Sequence, residues 1–413
     1  MSDLLSVDDA LGRILRVLTR LPVEQVPLEM AHQRVLAVDV FAPHDLPAFA
    51  NSSMDGFAVR SSDVSGASPE HAIRLAVVMD IPAGALPQGE VLPGQCARIM
   101  TGAPIPPGSD AVVPVEQTDA AWQADGEATL PSTVGIREGV PTGANIRFAG
   151  ADVEAGARIL RAGTHIRAAE MGVLAGFGIS MVDCVRQPRV AILSSGDELI
   201  APDAPLTPGK VRDINSYTLA ALVHESGGVA IRIPTAQDDL REVRARFQQA
   251  VDIQPDVILS SAGVSVGTAD LIRTVLAEMG EIGFWRINLR PGKPLAFGSL
   301  RGIPFFGLPG NPVSAMVTFD VFVRPSLLQL QGADDLSQVT QAVAGEDIPS
   351  DGRQTYVRVK LVREQGNLVA RTTGTQSSSA ITSMAEADGL LIIPEGVRLA
   401  AAGETYSVRI LRA

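Results

Sequence analysis

Ile303 to Ser314 reads IPFFGLPGNPVS, an apolar strand that runs into a Pro-Gly-Asn-Pro turn and then opens an amphipathic helix. Pro309 and Pro312 fix φ near ~−65° and remove two backbone donors. Gly310 lets the chain approach a ligand closely, and Asn311 is placed to cap a helix beginning at Pro312. Outward from this turn, residues 189–331 alternate strand and helix: RVAILSSGDEL, NSYTLAALVHESGG, VAIRIPTAQDDLREVRARFQQAV and DVILSSAGVSVGTADLIRTVLAEM precede it. Such alternation predicts a doubly wound, mostly parallel sheet covered on both faces, with ligand sites beyond the carboxyl ends of its strands. Three strand ends carry loops of unusual composition, SSGDE, SSAGVSVG and GLPGNPVS.

The flanking sequence has a different character. From Ser6 to about Arg20 apolar residues recur at helical spacing, with Ser6 and Asp9 in a capping-box arrangement, and LEMAHQRVLA predicts a second helix. Between about Asp45 and Gly156 the chain is rich in Pro and Gly with short apolar runs, the pattern of a small all-β unit. THIRAAEMGVLAGFGI predicts one more helix ending in glycine. Residues 1–45 and 150–186 are therefore expected to form a discontinuous helical region into which a β domain, 46–149, is inserted. The α/β domain is expected over 187–331, and 332–413 reads as a small β-barrel or sandwich without helix, from YVRVKLVR, NLVARTT, GLLIIPEG and YSVRILR. The expected fold class is multidomain α/β.

A formal net charge of −12 and a pI of about 5.0 argue against a nucleic-acid partner, since phosphate backbones are gripped by Lys and Arg clusters that this chain lacks. No segment approaches the ~20 apolar residues of a membrane span, and the start carries acidic residues where a signal peptide needs basic ones, so no membrane partner and a cytoplasmic location are expected. Cys96 and Cys184 lie in no metal-binding pattern and read as buried free thiols. The five histidines fall in no motif.

RINLRPGKP, Arg286 to Pro294, sets Arg286, Arg290 and Lys293 beside a second Pro-Gly turn, a cationic patch in an acidic chain that points to a small anionic ligand. SSAGVSVGTAD, Ser260 to Asp270, offers amides, hydroxyls and a helix N-terminus to an anion, through Gly263, Ser265 and Gly267; its plainer reading is a close-packed strand-to-helix turn. A pterin, a nucleotide or a simple oxyanion would suit such a pocket. Carboxylates at the strand ends, Asp197, Glu198, Asp238 and Asp270, with Asp55 in NSSMDGFA, suit Mg²⁺ shared with substrate phosphates. Asp197 and Glu198 also read as the first turn of a helix. GVSVG matches a nucleophile elbow at Ser265, but no histidine follows His224, so the triad order fails; GxGxxG is missing as well.

Eight ordered stretches, NSSMDGFAVR, RIMTGAPIPPGSDAVVPVEQT, GANIRFAGADVEAG, SSGDEL, VRDINSYTLAALV, SSAGVSVGTAD, RPGKPLAFG and LPGNPVSA, resemble the molybdopterin molybdenumtransferase family of MoeA type, related to the E domain of gephyrin. The resemblance implies a central domain of molybdopterin-binding type and a homodimer with active sites shared between subunits. It also implies insertion of molybdenum, from molybdate, into molybdopterin delivered as its adenylate, with Mg²⁺ assisting and AMP released. Molybdopterin adenylyltransferase and apo-molybdoenzyme delivery proteins are the partners it suggests. The alternatives are the adenylyltransferase itself, which resembles only residues 189–331, and a non-catalytic scaffold of the gephyrin E type.

By motif position the resemblance assigns Asp55, Thr101, Glu198, Asp238 and Asp270 to catalysis, with Glu198 and Asp238 as candidate Mg²⁺ ligands. It assigns Arg147, Asp152, Gly263, Ser265, Gly267, Arg286, Arg290, Pro309 and Pro312 to the pterin adenylate. The molybdate pocket is expected from Lys293, Pro294 and Ser314, and by looser alignment Arg353 and Ser378. Relatives often carry lysine where this chain has Arg286 and Arg290; guanidinium keeps the charge but not a removable proton, so both are read as anion-binding only.

Overall fold

The strand Arg189–Leu193 buries Val190 and Ile192 in one apolar cluster and Ala191 and Leu193 in another, because successive side chains of a strand point to opposite faces. That double burial organises the sheet in a computed structural model of the chain, which describes residues 4–120, 130–261, 268–333 and 338–411. The six-stranded sheet runs Val229–Arg232, Arg189–Leu193, Val257–Ser260, Ile303–Gly307, Pro294–Leu300 and Gly280–Arg286; the first four are parallel, Pro294–Leu300 pairs antiparallel with Ile303–Gly307, and Gly280–Arg286 pairs antiparallel with Pro294–Leu300. The helix Asn215–Glu225 and the helical run from Pro312 to Gln331 pack on one face, while Leu240–Asp252 and Thr268–Met279 pack on the other. This is the doubly wound domain expected from the alternating pattern. The run from Pro312 to Gln331 is apolar and long enough to cross a membrane by length and composition, but most of it is buried within the fold.

The first helix, Val7–Arg16, is capped as expected: Ser6 Oγ accepts the Asp9 amide at 3.1 Å. Its Val7, Ala10 and Ile14 join the same core as the helix Asn215–Glu225. LEMAHQRVLA is not a helix. Leu28–Met30 make one 3₁₀ turn, Gln33 takes φ 61°, and Val35 and Leu36 are drawn into bridges with His165 and Cys184, so tertiary pairing overrides the helical periodicity. Five strands close the C-terminal region into a barrel in the order Gln354–Glu364, Asn367–Thr372, Val339–Ala344, Thr405–Ile410 and Gly389–Ile393, the last pairing back to the first. One helix does occur there, Ile381–Glu386, where ITSMAE packs Ser383 and Met384 inward, contrary to the all-strand expectation.

Two compact units divide the chain: Met1–Val38, Ala162–Ala168 and Met181–Ala413 form one, Asp39–Arg161 and Ala169–Ser180 the other. The second unit is built on a five-stranded sheet, Ala111–Pro114, Gly56–Val59, Gln95–Ile99, Ile73–Ile81 and Thr133–Ile136. Gly56 is required in it, since a Cβ would stand 2.1 Å from the Val113 carbonyl oxygen across the sheet. Cys96 and Cys184 are free and buried as expected.

Candidate functional site

Within the first unit, the strand end at Gly307 and the Pro-Gly-Asn-Pro turn are fixed from two sides. Leu308 donates its amide to Ser260 O at 2.7 Å, and Asn215 Nδ2 donates to Gly310 O at 2.7 Å. Pro309 is buried and Pro312 opens the helix. Asn311 holds the N-cap position, but its side chain makes no capping bond; only its carbonyl accepts, from Ala315. The first helical turn is tied instead to the barrel, through the Val313 amide and Ser378 O at 3.1 Å. That bond brings Ser314, 4 % exposed, beside Ser378.

Gly292 completes the arrangement. Its φ of 119° and the 2.6 Å separation between a Cβ placed there and Thr318 Oγ admit no side chain, so the RPGKP turn lies directly on the Pro312–Thr318 helix. The turn joins the barrel where Leu289 and Arg290 pair in parallel with Gln354 and Thr355. Together these contacts enclose a cavity of about 700 Å³, lined among others by Arg290, Lys293, Pro294, Ser314, Arg353 and Ser378. The five residues expected at the molybdate pocket thus come together in one place, with Arg290 beside them.

Their electrostatics differ from expectation in one respect. Arg353 is committed to Asp351, with Nε 3.1 Å from both carboxylate oxygens, and its Nη1 donates to Leu289 O at 3.0 Å. The hydrogen bond from Arg353, aided by the nearby Arg290 charge, holds the Asp351 carboxyl below its ordinary range. Arg358, five residues on, also lines the cavity and is 1 % exposed. Its Nη2 donates to Thr375 O at 3.0 Å and Ser377 O at 3.1 Å, its Nε has no partner, and no carboxylate pairs with it among the described residues. Burial depresses its pKa. A buried cation without a counter-charge is costly, and an anion in the cavity would offset that cost. Lys293 likewise has no ion pair among the described residues. The acidic lining residues are otherwise engaged: Glu346 accepts the Thr372 amide and hydroxyl at 2.8 Å each, and Asp347 accepts the Ala402 amide.

Sequence reasoning missed Arg358. Strand alternation in YVRVKLVR sets it opposite the barrel-interior Val357 and Val359, but its burial comes from residues 374–378 folding over it, which no local pattern reveals.

At the other strand ends, Gly196 donates to Ala236 O, and Asp197 Oδ1 accepts the Asp238 amide at 2.9 Å, so the SSGDE and TAQDD loops meet. Glu198 and Asp238 are both exposed there. Asp197 and Glu198 lie in a turn followed by a short strand, not a helix, since proline-rich residues 202–208 delay the next helix to Asn215. Ser195 Oγ is buried without a partner among the described residues. Gly263, Ser265 and Gly267 lie outside the described residues, and Asp270 is placed only as part of the helix Thr268–Met279. Arg286 ends the antiparallel edge strand and is exposed. Among the described residues no group of three His, Cys, Asp or Glu could hold a metal alone.

In the second unit Asp55 Oδ1 accepts both the amide and the hydroxyl of Thr101, at 2.7 and 2.8 Å. Arg147, exposed, pairs across to Asn51 in a two-stranded ribbon, and the amide of Asp152, also exposed, donates to Leu46 O.

Three family models match in order along the chain: the MoeA N-terminal region (domains I and II) over residues 5–178, a probable molybdopterin binding domain over 191–329, and the MoeA C-terminal region (domain IV) over 341–411. Molybdopterin molybdenumtransferase 2 of Mycobacterium tuberculosis (strain ATCC 25618 / H37Rv) is 38% identical over 392 residues, 93% of this chain and 94% of the relative. Molybdopterin molybdenumtransferase of Bacillus subtilis (strain 168) is 35% identical over 409 residues, 98% of this chain and 94% of that one. A crystal structure of a molybdopterin biosynthesis MoeA protein from Pyrococcus horikosii superposes over the full length of both chains with a TM-score of 0.81 at 31% identity. With fold, motif order and near full-length similarity in agreement, the chain belongs to the molybdopterin molybdenumtransferase (MoeA) family.

Proposed function

We propose that this protein inserts molybdenum into molybdopterin, taking molybdopterin adenylate and molybdate as substrates and releasing AMP. The observation that carries the reading is the convergence on one cavity of Lys293, Ser314, Ser378 and the buried Arg358, which pairs with no carboxylate among the described residues. A tetrahedral dianion needs several donors at once and a positive charge that is not already neutralised, and this cavity supplies both. Arg358 takes the place first given to Arg353, which acts by holding Asp351 and the Leu289 carbonyl.

The adenylate lies against the strand-end loops, where the buried Ser195 hydroxyl has no partner among the described residues and a phosphate oxygen would provide one. Hard carboxylate oxygens without Cys or His suit Mg²⁺, and Glu198 and Asp238 would hold it in part, the remaining positions going to phosphate and water. When bound, the ion would supply charge neutralisation at the phosphoanhydride. Asp55 and Thr101, locked to each other within the second unit, form a positioned pair assigned to the same chemistry. The protein acts as a homodimer in the cytoplasm, receives its pterin from the adenylyltransferase step and passes its product to delivery proteins. A scaffold role alone is less well supported, since it would not require a buried cationic pocket.

Purified protein with Mg²⁺ and molybdopterin adenylate tests this. Molybdate-dependent AMP release with active cofactor formed is expected. Consumption of ATP and free molybdopterin instead would transfer the protein to the preceding adenylylation, and no reaction with either would leave the scaffold reading.

A further inference from the structure

Of the stretches that carry the family resemblance, VRDINSYTLAALV, residues 211–223, contributes no residue to the proposed site. Its Asn215 nevertheless touches the turn beside that site, from the first position of the helix Asn215–Glu225. The side chain is buried, 7 % exposed, and is used at one end only. Nδ2 donates to Gly310 O at 2.7 Å, whereas Oδ1 is buried with no partner among the described residues. A flipped amide would set Oδ1 against the Gly310 carbonyl oxygen, acceptor against acceptor, so this hydrogen bond fixes which end is idle.

The helix itself does not need an asparagine here. Its entry is served by Asp213, whose Oδ1 accepts the Ser216 amide at 3.0 Å, and by Ile214 O, which accepts the Thr218 amide. An apolar side chain of similar length would fill the buried position without an idle acceptor, whose desolvation is unfavourable. What asparagine adds is the bond to Gly310.

Gly310 is where such a bond has most effect. It is exposed, and a Cβ placed there would meet nothing within 4 Å, so side-chain packing does not hold this joint. Pro309 and Pro312 have no amide to donate, and the Asn311 side chain makes no capping bond. Two residues beyond Gly310 begins the helix Pro312–Thr318, which carries Ser314. Asn215 holds the approach to that helix and the Val313–Ser378 bond holds its first turn, which keeps Ser314 and Ser378 in register at the cavity.

We propose that Asn215 is a positioning residue for the anion pocket, holding Gly310 so that Ser314 and Ser378 face molybdate together, and that it does so at a cost in native stability. The inference rests on the molybdate reading of the cavity, and Asn215 acts through the turn, since it does not line the cavity itself.

Two full-length variants test it. Asn215→Leu removes the bond and the idle acceptor while filling the space, and the carbonyl it releases belongs to an exposed residue that water can serve. Asn215→Ala removes the same groups but leaves a void. Equilibrium dialysis with molybdate, and separately with AMP, is read beside urea unfolding without ligand. Both variants should bind molybdate about three- to tenfold more weakly, the scale of one lost hydrogen bond, and AMP as wild type does. The unfolding midpoint should equal or exceed that of wild type in Asn215→Leu and fall below it in Asn215→Ala, so that affinity follows the bond and not stability. Wild-type molybdate affinity in Asn215→Leu, an equal loss of AMP binding, or a lowered midpoint in Asn215→Leu would each overturn the inference. A wild-type protein that binds no molybdate would instead overturn the reading of the cavity beneath it.

Discussion

Replacing Arg358 by methionine separates the two arginines that compete for the anion role. In the free protein Arg358→Met leaves Thr375 O and Ser377 O without their donor, a cost of about 1–3 kcal/mol. It also removes the penalty of burying a guanidinium that no carboxylate among the described residues neutralises, several kcal/mol in the opposite direction. The terms nearly offset, so the ligand-free variant should lie within about 2 kcal/mol of wild type. Molybdate alters that balance only in the wild type. At 100 times its dissociation constant it should stabilise the native protein by about 2.7 kcal/mol. Losing one charge-assisted bond of about 1.5–3 kcal/mol weakens binding roughly 10- to 100-fold, and the gain at the same concentration falls to about 0.4–1.4 kcal/mol. Urea unfolding with and without molybdate reads the difference directly. Arg353→Met, which removes a cation already paired with Asp351, should keep most of the gain. If Arg358→Met keeps the full stabilisation while Arg353→Met loses it, the burial argument for the pocket is wrong.

Three further outcomes follow from other parts of the molecule. Burial pushes the Cys96 thiol up to about 12 and Cys184 to about 11, so neither should react with a thiol reagent at pH 8 in the native protein, and both should react after unfolding in guanidinium. Gly56→Ala should cost at least about 3 kcal/mol, seen as loss of the cooperative unfolding transition of the second unit, because the strand would have to move off Val113; a transition like wild type would mean the sheet tolerates a side chain there. Asp351 has a depressed pKa through its bond to Arg353, so its contribution is present at neutral pH and lost as pH falls through its folded value, below the ordinary ~3.9. Asp351→Asn should therefore cost at most about 1 kcal/mol at pH 7, given its exposure, and the difference from wild type should shrink below about pH 4; a difference that grows in acid would contradict the pairing.

The sheet domain could be read from sequence because RVAIL, DVILS and IPFF are apolar on both alternating faces, a requirement only a strand covered twice imposes. LEMAHQRVLA misled because its helical spacing is real but outweighed: Val35 and Leu36 gain more from pairing with His165 and Cys184 than a short isolated helix could supply. ITSMAE was too short to show a period. At the candidate site the same division holds. Lys293 and Ser314 sit in turn motifs whose prolines and glycines announce their geometry, whereas the environment of Arg358 is created by the loop from Gly374 to Ser378, distant in chain position from the turns it covers. The SSGDE loop lacked any local sign that its acids precede a proline-rich stretch in a turn and not a helix start, apart from the prolines themselves.

Diffraction from crystals soaked in molybdate, recorded on either side of the molybdenum absorption edge, tests the central claim most directly. An anomalous peak within hydrogen-bonding reach of Lys293, Ser314, Arg358 and Ser378 is the predicted result. A peak elsewhere in the chain, with this cavity empty at a concentration that supports AMP release, would contradict the account.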